Sequence, residues 1–303
     1  MQISTSQFYA QSSSLMEALT QKADKLQVQI SSGVRSTAPS DDVVAYSQLA
    51  GLKRAKTDDT ANTASVTLAK TLLQQSDSAL TSVQNDVQQA SELMLQANNG
   101  TLTDDNRKAI ATQLQSVLDD LVSVANSKDV RGQPLFGAAT GDTAVTQNTD
   151  GSVSFSGTGS PAAIPLGNGQ SIVPTNSAQQ IFGGVTSASG TSDMFSILSN
   201  AISALNAGGD ISNAAKTAID GLNAASSQIA NAQGSVGARA ARLDLVSSQM
   251  TDAAATRETD RTALEDTDTT AAITELQKTM TILSATQASF TKLSSLSLFD
   301  YLK

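Results

Sequence analysis

Apolar residues recur at helical spacing near both ends of the chain. The C-terminal stripe contains Ile273, Leu276, Met280, Leu283 and Phe290, and the N-terminal stripe contains Leu15, Leu19, Leu26 and Ile30. Such spacing places the apolar side chains on one face of a helix. A helix of about 30 residues is only marginally stable alone in water, so each end is expected to pack against a partner helix. That partner is the other end of the chain, a neighbouring subunit, or both.

The extreme C-terminus concentrates large apolar side chains, although aromatic residues make up only 3% of the sequence. The cluster consists of Leu296, Leu298, Phe299, Tyr301 and Leu302. Burying each of these side chains contributes roughly 1.5–3 kcal/mol, so the cluster is unfavourable in water. We expect it to dock on a neighbouring subunit, with packing onto its own helix as the alternative. The two stripes and this cluster together form the candidate subunit interface.

A longer stripe predicts a helical rod in the first half of the chain. Its members are Val66, Ala69, Leu73, Ser76, Leu80, Val83, Val87, Ala90, Met94 and Ala97. Asn99 and Gly100 end this helix, and Thr103, followed by two aspartates, predicts the N-terminus of the next one. The face of that second helix is made of Ile110, Leu114, Val117, Leu121 and Val124. The two helices are expected to form an antiparallel hairpin.

The helical period disappears between about Gly137 and Asp193, where Gly, Ser, Thr and Pro dominate. Residues 145–147 and 153–155 flank an Asp-Gly turn and predict two short strands. Helical texture returns at Met194 and breaks once more at Gly208 and Gly209 before the C-terminal stripe.

These patterns predict a mainly α fold with a small β-rich inserted outer domain. Both terminal regions are expected to form an elongated antiparallel helical bundle or coiled coil. The expected division has three parts: a terminal helical polymerisation domain (1–42 and 262–303), a helical rod domain (43–137 and 194–261) and the outer domain (138–193).

Composition argues against several classes of function. The chain has no His, Cys or Trp, which removes the commonest general base, the thiol nucleophile and most zinc chemistry. Its net charge of −9 without a basic cluster argues against nucleic acid as a partner. Ser289 and Lys292 match a Ser-x-x-Lys pattern by chance, and Asp268 is interpreted as a helix cap. We expect no enzyme activity, no cofactor and no metal.

The N-terminal twenty residues have neither a charged segment nor a continuous apolar run of the kind found in cleaved signal peptides. No stretch approaches the roughly 20 apolar residues that span a bilayer, so membrane insertion is not expected. The protein is therefore expected to be either cytoplasmic or exported by a route that needs no cleaved signal.

Motifs at both ends resemble the flagellin superfamily. The chain reads MQISTSQ at 1–7, QISSG at 29–33 before PSDD at 39–42, and QASF at 287–290 before LSLFDYL at 296–302. Inner motifs are VAN at 124–126, RG at 131–132 and LFG at 135–137. The ending LFDYLK is most similar to members at the junction between hook and filament, since filament flagellins tend to finish with Leu-Leu-Arg.

This resemblance implies an extracellular structural component of the bacterial flagellum, exported through the flagellar type III channel without a cleaved signal. Its expected role is a junction ring that connects the hook to the filament. The implied partners are copies of itself, the first hook-associated protein, flagellin and a cytoplasmic export chaperone that holds the C-terminal region. The implied fold is flagellin-like.

Three alternatives remain at this point. A filament flagellin shares the mechanism but assembles into long filaments of its own. A secreted helical translocator or effector inserts amphipathic helices into membranes, against which the acidic charge balance argues weakly. An enzyme embedded in a flagellin-like scaffold with a zinc motif is nearly excluded, because the chain lacks His.

Overall fold

The computed structural model describes residues 2–35, 38–40, 42–139, 143–149 and 151–300, without the side chains of residues 2–6 and 293–300. The chain forms two compact units: a terminal unit (Met1–Thr57 and Asp252–Lys303) and a central unit (Asp58–Thr251). The described helices are α1 (Gln2–Ser32), α2 (Val43–Ala97), α3 (Asp104–Ala125), α4 (Ala178–Phe182), α5 (Met194–Ala207), α6 (Ser212–Glu265) and α7 (Thr269–Asp300).

Among the described residues between α3 and α5, the chain forms three two-stranded antiparallel hairpins. They are β1 (Val145–Gln147) with β2 (Val153–Phe155), β3 (Ile164–Gly167) with β4 (Gln170–Ile172), and β5 (Val185–Ser187) with β6 (Gly190–Ser192). The first hairpin confirms the two strands predicted from the sequence. The other two hairpins and the short helix α4 lie in a segment where the sequence pattern predicts no regular element.

The core of the central unit confirms the long stripe predicted on α2. All ten of its positions from Val66 to Ala97 are buried. On α3 the predicted positions Ile110, Leu114, Val117 and Leu121 are buried, and Val124 packs against the same core. Because the stripe is buried within the chain, α2 in this unit needs no partner subunit to cover its apolar face.

Hydrogen bonds at the helix ends show how α3 and α5 are oriented. The Thr103 hydroxyl accepts a hydrogen bond from the Asn106 amide at 3.3 Å, as the sequence predicts for this N-cap. After α5 the chain turns through Gly208 and Gly209, both at positive φ, and the Arg107 guanidinium donates to the Gly209 carbonyl at 2.6 Å. The C-terminal end of α5 therefore lies at the N-terminal end of α3, so the two helices are antiparallel.

The β hairpins share the core of the central unit. Asn126, just after α3, accepts hydrogen bonds from the Ala144 and Val145 amides, each at 3.0 Å. The rings of Phe182 and Phe195 stack with centroids 5.2 Å apart, and all of these aromatic and strand residues belong to one buried cluster with α2 and α3. The expected outer domain thus contributes to the helical core, and the three-part division of the chain stays a proposal.

Two polar side chains of α6 bind the backbone of this inserted segment. Gln228 donates to the carbonyls of Ile181 and Gly183 at 2.9 and 2.8 Å. Arg239 donates to the carbonyl of Val173 at 2.8 Å and also contacts Thr175 and Asn176. Burial lowers the pKa of Arg239 from its ordinary value. These bonds satisfy backbone carbonyls at the end of α4 and just after β4.

None of the helices in the described part of the chain is both long enough and apolar enough to cross a membrane.

A carboxylate pair gives the central unit a pH-dependent stability. Burial and the nearby Asp120 carboxylate raise the pKa of Asp86 from 3.8 to about 6. A raised pKa means that the folded state binds the proton more tightly than the unfolded state. The contribution of the protonated Asp86 carboxyl to stability is complete below pH 3.8 and is lost as the pH rises through about 6.

We predict that Asp86→Asn removes part of the loss of stability between pH 5 and pH 7.5. The difference from the parent is about 1 kcal/mol at pH 7.5, after allowing for solvent screening. Urea denaturation followed by circular dichroism measures it, with Asp77→Asn, an exposed carboxylate on the same helix, as the control. The same pH dependence in Asp86→Asn and parent protein contradicts this assignment.

Candidate assembly interface

The helices α1 and α7 pack antiparallel in the terminal unit. The rings of Tyr9 and Phe290 meet edge to face with centroids 5.4 Å apart. Farther along, the Lys22 ammonium lies 2.5 Å from the Glu275 carboxylate. Since residue numbers rise on one helix as they fall on the other, the first and last helices run in opposite directions.

The contact between the two helices is a heptad seam in which large and small side chains mix. Its positions recur at steps of three and four and are at least half-buried. They are Tyr9, Ser12, Met16, Leu19, Ala23, Leu26 and Ile30 on α1, and Ala272, Leu276, Thr279, Leu283, Thr286 and Phe290 on α7. Only Ala23, Ala272 and Thr279 are fully buried, because two helices alone cannot enclose a larger side chain.

The predicted interface residues fall into three groups. Six lie in the seam and are half-buried: Leu19, Leu26, Ile30, Leu276, Leu283 and Phe290. Three lie outside it and are exposed: Leu15 at 51%, Ile273 at 43% and Met280 at 51%. The remaining five fall outside the described residues or side chains: Leu296, Leu298, Phe299, Tyr301 and Leu302. The structure therefore brings the first group together and leaves the second group open to a neighbour.

Further exposed apolar side chains in this unit were missed by the sequence reasoning. They are Phe8 and Val28 on α1, Ile282 on α7, and Val43, Val44 and Tyr46 at the start of α2. Phe8 lies seven residues before Leu15, so extending the N-terminal stripe by one heptad would have found it. The valines at the start of α2 carry no periodic signal.

Backbone and capping groups fix the base of the terminal unit. Val34 and Asp266 form an antiparallel bridge, in which the Arg35 amide donates to the Glu265 carbonyl at 2.7 Å. Gly33, at a φ of 72°, supplies the turn after α1. The Asp268 carboxylate accepts a hydrogen bond from the Ala271 amide at 3.0 Å, which confirms that Asp268 is a helix cap.

Ion pairs stabilise this base and the α1–α7 contact. Arg261 binds both Glu258 and Glu265, one turn away on either side along α6. Hydrogen bonding to Arg261 lowers the pKa of Glu258, and hydrogen bonding to Lys22 lowers that of Glu275. These side chains are partly exposed to solvent, so their contribution is to orientation more than to stability.

Known proteins share this helical arrangement. Residues 3–140 match the model of the bacterial flagellin N-terminal helical region. The resemblance to the flagellin superfamily indicated by the terminal motifs is therefore confirmed, and residues 3–140 are similar to this helical region.

Individual relatives extend the similarity to the whole chain. Flagellar hook-associated protein 3 of Salmonella typhimurium is 28% identical over 316 residues, covering 99% of each chain. A putative flagellar hook-associated protein from Vibrio parahaemolyticus has a similar fold, with a TM-score of 0.67, 21% identity, and 74% of this chain and 99% of that chain covered. The flagellar junction protein from Legionella pneumophila also has a similar fold, with a TM-score of 0.58 and 15% identity. The match covers 72% of this chain and 99% of that chain.

We predict that seam and side positions of α7 respond differently to truncation. Leu276→Ala should lower the stability of the terminal unit by roughly 1–2 kcal/mol, less than for a fully buried leucine. Met280→Ala, one turn farther along, should change it by less than about 0.5 kcal/mol because its side chain is exposed. Thermal unfolding of the two purified variants compares them. Equal destabilisation by both changes would place Met280 in the intramolecular core.

Proposed function

We propose that this protein is a structural component of the bacterial flagellum that connects the hook to the flagellin filament. The observation that carries the proposal is the terminal unit, in which paired first and last helices expose large apolar side chains on their outer sides. Exposed apolar surface of this kind marks an association site. The end-to-end similarity to flagellar hook-associated protein 3 supports the junction over the filament itself.

The terminal helices are the assembly elements in this proposal. In the described part of α1 and α7, the helix-to-helix seam encloses only small side chains, so a large share of the apolar surface stays in contact with water until neighbours arrive. Burial of this surface on assembly offsets the entropy lost in ordering the ends. The C-terminal cluster from Leu296 to Leu302 is proposed to dock on a neighbouring subunit.

The proposed partners are further copies of this chain in a ring, the first hook-associated protein on the hook side and flagellin on the filament side. Before assembly, a cytoplasmic export chaperone is proposed to hold the C-terminal region. Export through the flagellar type III channel without a cleaved signal, and a final location at the hook-filament junction, complete the proposal. The role is mechanical and requires no catalysis.

Deletion of the gene tests the role directly. A junction protein is required for filament attachment, so the deletion strain should secrete flagellin monomers into the medium while its cells carry hooks without filaments. Absence of the filament subunit itself from cells and medium would instead identify the protein as flagellin. Electron microscopy and immunoblotting of the medium distinguish the two results.

We predict that Met280→Asp, expressed in place of the native chain, abolishes filament attachment while the purified monomer keeps its stability. A charge at an exposed position changes monomer stability by about 0.5 kcal/mol or less, but it is unfavourable in a subunit contact. Val28→Asp is the matched control, because Val28 is similarly exposed, at 49%, and lies on the face of α1 farthest from the seam. Swimming in soft agar and flagellin in the medium are the readouts; normal filaments with Met280→Asp would contradict the proposal.

A further inference from the structure

The two sides of the α1–α7 pair differ in charge. The seam positions alternate between two heptad sites. The a sites are Tyr9, Met16, Ala23, Ile30, Leu276, Leu283 and Phe290, and the d sites are Ser12, Leu19, Leu26, Ala272, Thr279 and Thr286. In an antiparallel pair, residues one position before the a sites face each other on one side, and residues one position after the d sites face each other on the opposite side. Lys22 and Glu275 both precede a sites, and their 2.5 Å ion pair marks the first side. Ile273 and Met280 follow d sites and mark the second.

The first side carries the lysines and is called the lysine side. Leu15 and Phe8 lie one and two heptads before Lys22, and Ile282 lies one heptad after Glu275, so these three exposed apolar side chains are on this side. The heptad positions of the remaining lysines of the two helices also place them here: Lys25, Lys278 and Lys292. Of the acidic residues of α1 and α7 whose side chains are described, Glu275 alone lies on this side.

The second side is acidic and is called the acidic side. Its apolar side chains are Ile273 and Met280, which are 43% and 51% exposed. Glu17 and Asp24, both exposed, occupy the neighbouring heptad position on α1. The antiparallel register set by Lys22 and Glu275 places Asp24 beside Ile273 and Glu17 beside Met280. Each side therefore combines an apolar strip with charge of one predominant sign.

We propose that the lysine side of one copy of this chain docks against the acidic side of the next copy. This inference rests on the proposed assembly function and names the partner of these surfaces: a second copy. Apolar strips on both sides are buried in the contact, and the charges that border them are opposite. Because the two sides differ, the contact is heterologous, and its repetition produces a ring or helical array instead of a closed dimer.

Charge also selects this pairing against the alternatives. Joining two lysine sides or two acidic sides brings like charges together, which disfavours a two-fold symmetric dimer. Each strip has only two or three large side chains and is smaller than the roughly 800 Å² per partner of a typical stable interface. A single contact is therefore weak, and contacts made simultaneously around a ring must stabilise one another.

The absence of native cysteine makes cross-linking a direct test. Leu15→Cys places a thiol on the lysine side and Met280→Cys places one on the acidic side, both at exposed positions. The two thiols of one chain lie on opposite sides of the helix pair, so a short bis-maleimide reagent cannot join them within a chain. A chain with both changes is expressed in a flagellated strain that lacks its own copy, and isolated flagella are treated with the reagent.

The expected product is a ladder extending beyond the dimer. Each single variant alone should remain monomeric, and the two single variants mixed at high concentration should give a heterodimer only. Dimers formed by either single variant alone indicate a symmetric contact and overturn the proposal. Monomers, or cross-links only to other flagellar proteins, in flagella that keep their filaments also overturn it, whereas the junction function then stands.

Charge reversal supplies a second, independent measurement. Asp24→Lys should reduce cross-linking in the Leu15→Cys, Met280→Cys chain by about two- to five-fold, as expected for an exposed ion pair. Adding Lys278→Glu to the same chain should restore it, because the reversed charges again face each other between copies. If this pair of cysteines prevents filament formation, Ile282→Cys with Ile273→Cys gives the same test at the neighbouring positions. Unchanged cross-linking in the Asp24→Lys chain contradicts the charge complementarity.

Discussion

The packing of the first helix against the last is the interaction on which the terminal unit depends. It joins residues separated by almost the whole chain, so it carries a loop-closure entropy that local contacts do not. The seam that must offset this cost encloses Ala23, Ala272 and Thr279 and leaves its larger members half-buried. In a pair of helices, each helix can pack only one of its faces against the other. Their remaining sides stay in water in the described part of the two helices, and this geometric limit is the reason for proposing that neighbours cover them.

The apolar stripes of the central unit are buried in its own core, and this explains why its helices could be predicted from the sequence. Every position of the α2 stripe from Val66 to Ala97 is buried, and Thr103 caps α3 as expected. In a thick core, the large apolar residues mark the buried face. Hydrophobic periodicity then gives both the helix and its orientation.

The same reasoning does not separate the two faces of the terminal helices, one packed within the chain and one exposed. Ile273 and Met280 stand out in the sequence, yet the seam uses their neighbours Ala272 and Thr279. Closely packed helix pairs favour small side chains at the centre of contact, which hydrophobicity alone does not reveal. The displaced apolar residues at the sides are therefore informative, since nothing inside the terminal unit requires them there.

The inserted β segment was only partly predictable for a different reason. Strands of three or four residues have one or two inward positions, such as Leu166 or Ile172, too few to establish a period. Their placement depends on Gln228 and Arg239 of α6, which bind backbone carbonyls about 45 to 66 residues away in the sequence. Contacts of a polar side chain with a distant backbone leave no local pattern. The sequence therefore indicates where the helical period is lost, but it does not give the position of each hairpin.

Charge has opposite effects at long and short range in this protein. The net charge of −9 opposes the approach of two identical chains. At physiological ionic strength that repulsion is screened beyond about 8 Å, whereas charges at a contact surface act over shorter distances. In the proposed contact, lysines on one side of the terminal helices and acids on the other attract neighbouring copies even though the chains as a whole repel. A protein that must remain separate before assembly and associate in a crowded array benefits from this combination, because association is favoured only where the sides meet in the correct orientation.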